Sequence, residues 1–207
     1  MINIQILKDK YNTDRFEHIK AAGARDAAVL IPLIEDGNGR LSVLFEVRSS
    51  NIRQGGEICF PGGRVDSDEA PEQTVRREIQ EELLTEDEQL DIISPLFTMN
   101  GVGDAFIYSY LGLLKDYEGS FSEDEVGSVF SIPLDRLLTM TPRICPAAYV
   151  IDLPEDFPFS LIPGGRDYKW YKRRRNFYFY ETEFGVIWGM TGELLFHFLK
   201  TADRLLS

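Results

Sequence analysis

The chain has 207 residues, with 34 Asp and Glu against 22 Lys and Arg, a formal net charge of −12, and 43% hydrophobic residues. That length and apolar share suit one globular domain with a single core, and the acidic balance argues against a nucleic-acid partner, which calls for a basic footprint. No apolar run approaches the roughly 18 residues of a membrane helix, the charged N-terminus has no signal-peptide layout, and only Cys59 and Cys145 are present. Neither a membrane association nor a disulfide framework is therefore expected, and the default setting is a reducing, cytoplasmic one.

Residues 1–25 read as an N-terminal helical extension, with Phe16, Ile19 and Ala22 at helical spacing and Gly23 at the stop. The core, with a C-terminal helix, is expected over 26–207. Ala27 to Ile34 is an apolar run of strand length, and Leu41 to Val47 is a second. The turn chemistry of Asp36-Gly37-Asn38-Gly39 between them predicts a hairpin. The polar stretch 48–56 carries Arg48 and Arg53 and reads either as a surface loop or as a phosphate-contacting one, since Arg presents a planar fork to phosphate oxygens. It runs directly into Ile58-Cys59-Phe60-Pro61 and the pair Gly62-Gly63. Cys59, inside that apolar run, reads as a small core residue rather than a nucleophile.

Pro71 suits the first turn of a helix because its φ is already fixed and its missing N–H costs nothing there. With each residue turning about 100°, Val75, Ile79 and Leu83 form one apolar stripe. Glu78, Glu81 and Glu82 share an arc beside it, with Arg77 adjacent. Carboxylates held together repel unless a positive charge sits among them. One reading is a solvated acidic face. The other is a site for a hard divalent cation, Mg²⁺ or Mn²⁺. The preceding Gly62-Gly63 favours the second reading, because glycine lets backbone approach closely and can present the Gly63 carbonyl to the same ion.

Beyond the helix, Leu90 to Leu96 and Ala105 to Leu113 read as strands joined through 100–104. An acidic loop follows at 120–125, then a short strand from Val129 to Ile132 and a short helix from Pro133 to Met140. The proline-rich stretch from Thr141 to Pro163 reads as an extended or looping excursion rather than a new domain. Asn176 to Glu181 and Phe184 to Trp188 form a further strand pair, and Thr191 to Leu206 is an amphipathic helix with Leu194, Leu195, Phe198, Leu199 and Leu205 on its apolar side. Residues 168–175 interleave Lys and Arg with Tyr168, Trp170 and Tyr171. They read as a solvated hairpin edge or as a surface for a substrate phosphate or adenine ring.

The segment from Gly63 to Glu82 resembles the signature of the Nudix hydrolase family, with Gly63, Glu69, Arg77, Glu78, Ile79, Glu81 and Glu82 at the required spacing. Leu84 stands where that signature has Gly and Thr85 where it has an apolar residue, so a different helix cap or an extra turn is expected. The stretch LFEVRSSNIRQGGEICFPGG is similar to the upstream motif of the coenzyme A pyrophosphatase branch, although the Arg53 to Gly56 spacing is one residue shorter. Phe184 to Thr191 resembles a later stretch of the same branch.

The resemblance implies an α/β protein, a Nudix α/β/α sandwich with a mixed sheet. It implies hydrolysis of the pyrophosphate of coenzyme A or its derivatives to 3′,5′-ADP and 4′-phosphopantetheine. The alternatives are another nucleoside diphosphate derivative (ADP-ribose, NADH, a dinucleoside polyphosphate) or a non-catalytic nucleotide-binding module. The metal set expected is Gly63, Glu78, Glu81 and Glu82. The catalytic set is Glu78, Glu81, Glu82 and Arg77, the last pairing with Glu69 to hold the loop, together with Glu125 as a further ligand, a base or a plain surface residue. Arg48, Arg53, Phe60 and Gly62 are the expected substrate contacts. The partner is a small coenzyme A-like nucleotide, and a homodimer is the assembly considered.

Overall fold

The computed structural model describes residues 23–101 and 105–206. The expected N-terminal helices lie outside these residues except at 23–25, as does most of the 100–104 connection.

The expected hairpin forms as β1 (Ala27–Glu35) and β2 (Leu41–Arg48). Its strands stay paired only near the turn, from Leu33 opposite Val43 to Glu35 opposite Leu41. Beyond that they part, and two short strands enter the gap. β3 (Ile58–Cys59) pairs with β2 at Glu46 and Val47, and β4 (Gly62–Arg64) pairs with β1 at Ala27 to Val29. The glycine corner is thereby built into the middle of the sheet. After helix α1 (Pro71–Leu83) come β5 (Leu90–Asn100) and β6 (Phe106–Leu114), which complete one end of the sheet. β7 (Val126–Pro133) runs along β2 from Ser42 to Arg48, which is why it begins earlier than the predicted Val129. The seven strands run β3-β2-β1-β6-β5, with β4 on β1 and β7 on β2. β1 and β6 are parallel and the other pairings antiparallel, so the sheet is mixed as expected.

The remaining elements are α2 (Leu134–Thr139), β8 (Arg143–Tyr149), β9 (Arg173–Thr182), β10 (Gly185–Ile187) and α3 (Gly189–Leu206). β8 gives the first part of the proline-rich stretch the extended form, one of its two expected readings. It is an outer strand of a three-stranded sheet ordered β10-β9-β8 and carries Pro146, a residue tolerated at an edge because no further neighbour needs its N–H.

Alternation along β1 and β2 sends side chains to both faces of the large sheet. Ala28, Leu30 and Leu44 pack with Val75, Ile79 and Leu83 of α1. Ile31, Leu33, Val43 and Phe45 pack with Leu137 of α2, Tyr178 and Tyr180 of β9, and Leu194, Leu195, Phe198 and Leu199 of α3. The α1 stripe is fully buried, each such side chain contributing about 1.5–3 kcal/mol. With both faces covered, the arrangement is the predicted sandwich.

Candidate active site

Burying the Val75, Ile79 and Leu83 stripe fixes the rotation of α1 and so decides where its glutamates point. Glu78 and Glu82 lie next to the stripe and are buried, at 9% and 3% exposure, whereas the Glu81 side chain is 54% exposed. Arg77 ties the acidic residues together. Its Nε donates to Glu69 Oε1 at 3.1 Å, and Nη1 donates to Glu78 Oε1 at 2.8 Å and Glu81 Oε2 at 3.1 Å. Nη2 also donates to the Arg64 carbonyl at 3.2 Å, so the expected loop-to-helix clamp forms. These hydrogen bonds hold the Glu69 carboxyl down at about 2.

The helix stops after Leu83, with Leu84 in the left-handed region at φ 54°. Of the two expected outcomes, a different cap or an extra turn, the cap forms: Leu84 itself takes the conformation that glycine usually supplies at this position. Two free carbonyls of the last turn are met by the 120–125 loop. Ser120 Oγ donates to the Leu83 carbonyl at 2.7 Å and the Ser122 N–H to the Glu82 carbonyl at 2.8 Å. Ser49 N–H in turn donates to the Glu125 carbonyl at 2.9 Å. The loop is pinned at both ends, and Glu125 is brought to the helix. Carboxylate oxygens of Glu78, Glu82 and Glu125 come within 4.8 Å of one another. Glu81 stands outside this group, held by Arg77 on the solvent side.

Glycine makes room for the cluster. A Cβ at Gly63 would sit 2.1 Å from Glu78 Oε1, and one at Gly62 would sit 2.3 Å from the Ala28 carbonyl oxygen. The Gly62 N–H donates to Glu82 Oε2 at 2.8 Å. Burial, followed by the charge of Glu46 on β2, raises Glu82 above the usual carboxylate range, and burial raises Glu78 as well. Glu46, 2% exposed, is raised by burial too; its Oε2 is enclosed without a hydrogen-bond partner among the described residues. Anionic oxygens gathered against such repulsion fit a hard divalent cation, which would take oxygen ligands and supply the missing positive charge.

A cavity of about 380 Å³ opens against the glycine corner. Of the predicted substrate contacts, Arg48, Phe60 and Gly62 line it and Arg53 does not; Gly63, predicted as a metal ligand, lines it too. Arg48 Nε donates to the Arg53 carbonyl at 3.2 Å, so Arg53 shapes the loop through its backbone. Phe60 is buried and stacks on Phe45 with ring centres 5.1 Å apart, forming wall rather than surface. The sequence pointed to no site role for Tyr149, Trp188 and Met190, which also line the cavity. The Phe184 to Thr191 motif was the available signal. Within the basic-aromatic stretch 168–175, Arg175 lines the cavity, with its Nε donating to Glu193 of α3 at 2.6 Å. Trp170 instead packs edge-on against Tyr168 and Phe157.

A NUDIX domain model matches residues 24–149. The chain is similar to the peroxisomal coenzyme A diphosphatase NUDT7 of Mus musculus, 36% identical over 129 residues, which cover 60% of this chain and 52% of that one. It is 35% identical over 127 residues to the peroxisomal coenzyme A diphosphatase ndx-8 of Caenorhabditis elegans, covering 59% of this chain and 54% of that one. It therefore spans about half the length of these two relatives. Nudix hydrolase 3 of Caenorhabditis elegans is 29% identical over 202 residues, covering 92% of this chain and 80% of that one. Among solved structures, a Nudix hydrolase from M. smegmatis, RenU, aligns at a TM-score of 0.48 and 24% identity, over 61% of this chain and 78% of that one. With the domain model spanning more than half of the sequence, the chain belongs to the Nudix hydrolase family.

Proposed function

We propose that the protein hydrolyses the pyrophosphate bond of coenzyme A or its derivatives, with Mg²⁺ or Mn²⁺, giving 3′,5′-ADP and 4′-phosphopantetheine. The observation that carries this reading is the meeting of Glu78, Glu82 and Glu125 beside Gly63, at a glycine corner that also lines the cavity. The coenzyme A specificity is supported by the Arg48 to Gly63 motif and by what the two peroxisomal relatives are named for.

Glu78 and Glu82, with the Gly63 carbonyl, would hold the cation. Once bound, it neutralises pyrophosphate charge and acidifies the attacking water. A carboxylate on a cation is a weak base, so Glu125, the exposed member, is the proton acceptor. Glu81 keeps Arg77 on Glu78. Arg48 and Arg175, both at the cavity, meet the substrate phosphates. A reducing, cytoplasmic setting belongs to the same proposal.

Turnover of coenzyme A, acyl-coenzyme A, ADP-ribose, NADH and a dinucleoside polyphosphate at saturating Mg²⁺ tests it. Coenzyme A or its derivatives should give the highest kcat/KM. Glu82→Gln should cut kcat more than about 100-fold, since a lost ligand costs several kcal/mol of transition-state stabilisation. Turnover within about threefold of the parent would reject the ligand role.

A further inference from the structure

Glu46 has no place in the signature that marks the family, yet its surroundings point to a ligand. Register places it opposite Cys59 of β3 on one side and Val129 of β7 on the other, so its backbone is fixed in the sheet interior. Its neighbours Phe45 and Val47 pack on the side of α3, while Leu44 packs on the side of α1. Alternation gives Glu46 the face of Leu44, and its side chain enters the layer that holds Glu78 and Glu82. One oxygen accepts a hydrogen bond from Cys59 Sγ at 3.3 Å, and the other is enclosed with no partner among the described residues. Arg48 is the cationic influence on it, but that guanidinium donates to the Arg53 carbonyl. Glu46 is also the strongest charged neighbour of Glu82. A carboxylate oxygen removed from water and left without a donor is costly, and a cation shared with the neighbouring Glu82 carboxylate would compensate it.

We infer that Glu46 and Glu82 together hold a divalent cation on the strand side of the Glu78–Glu82–Glu125 cluster, with the unpartnered Glu46 Oε2 as a direct ligand. This rests on the cation reading of that cluster and adds to it a ligand from the sheet. Cys59 keeps the other Glu46 oxygen turned away and so orients the carboxylate.

Glu46→Gln keeps the shape and the acceptor for Cys59 and removes only the charge. Free Mn²⁺ is followed by its paramagnetic resonance signal during titration of the parent, Glu46→Gln and Glu82→Gln proteins, without substrate. Mn²⁺ affinity should fall at least about tenfold in Glu46→Gln, while its metal-free form melts no lower than the parent, because an uncompensated buried charge is gone. Affinity within about twofold of the parent in Glu46→Gln, together with loss in Glu82→Gln, overturns this inference and leaves the cluster reading standing. A parent that binds no Mn²⁺ overturns both. Should Glu46→Gln not fold, anomalous diffraction from Mn²⁺-soaked crystals of the parent decides. A peak within about 2.5 Å of a Glu46 oxygen supports the inference; a peak at Glu78 and Glu82 with none at Glu46 overturns it.

Discussion

Gly62 and Gly63 are adjacent but do different work. At Gly62, φ is 143° and an added Cβ would lie 2.3 Å from the Ala28 carbonyl oxygen and 2.7 Å from Val29 Cα. Both are sheet backbone and cannot yield. At Gly63 the added Cβ would meet the Glu78 carboxylate, the movable end of a side chain. Gly62→Ala should therefore lose about 2–4 kcal/mol of stability in urea titrations. Gly63→Ala should stay within about 1 kcal/mol of the parent yet lose about 100-fold in kcat as Glu78 is displaced. Glu69 offers a test by pH. Its carboxyl is held at about 2, below the ordinary 4.5, by hydrogen bonds from Arg77 and then Thr74. A lowered folded value means the stabilisation is present above 4.5 and disappears as pH falls toward 2. The melting temperatures of the parent and Glu69→Gln should differ at pH 7 and converge across that window.

The C-terminus of α1 is where the element diverges from its family's usual sequence. Leu84 is 57% exposed and sits at φ 54°, ψ 41°, so it has little burial to lose and backbone strain to relieve. A left-handed residue with a Cβ costs about 1–2 kcal/mol, and the added freedom of unfolded glycine returns part of that. Leu84→Gly should raise stability by about 0.5–1 kcal/mol, read as a higher urea midpoint at unchanged slope. The same helix end carries the acidic loop, because Ser120 and Ser122 donate to its last carbonyls. A helix terminus thus does structural and functional work together: satisfying its carbonyls delivers Glu125 to Glu78 and Glu82.

Across the whole molecule, a net charge of −12 gives monovalent salt a general screening effect. A cation bound only by the folded state acts differently, stabilising by about 2.7 kcal/mol at a hundredfold excess over Kd. MgCl₂ should therefore raise the melting temperature by about 5 °C more than NaCl of equal ionic strength, and Glu82→Gln should remove the difference. Equal shifts would leave only screening. No helix among the described residues is long and apolar enough to cross a membrane.

Local rules determined much of this protein from its sequence. Apolar runs of strand length on either side of turn residues gave β1 and β2, the 3.6-residue repeat gave the α1 and α3 stripes, and fixed offsets from Gly63 to Glu82 gave the family. These signals operate within one element, where spacing alone sets geometry. Tertiary structure decided which carboxylates meet. Rotation of α1 onto the sheet left Glu81 in solvent, and the loop pinned at the helix end added Glu125, some forty residues further along. Glu46 shows the limit most plainly. A polar residue in an alternating strand reads as solvent-facing when one face of a sheet is wet, but here helices cover both faces, so it is buried beside Glu82. That Tyr149, Trp188 and Met190 line the cavity likewise depended on how a second sheet docks, which is set by burial between elements rather than by spacing within one.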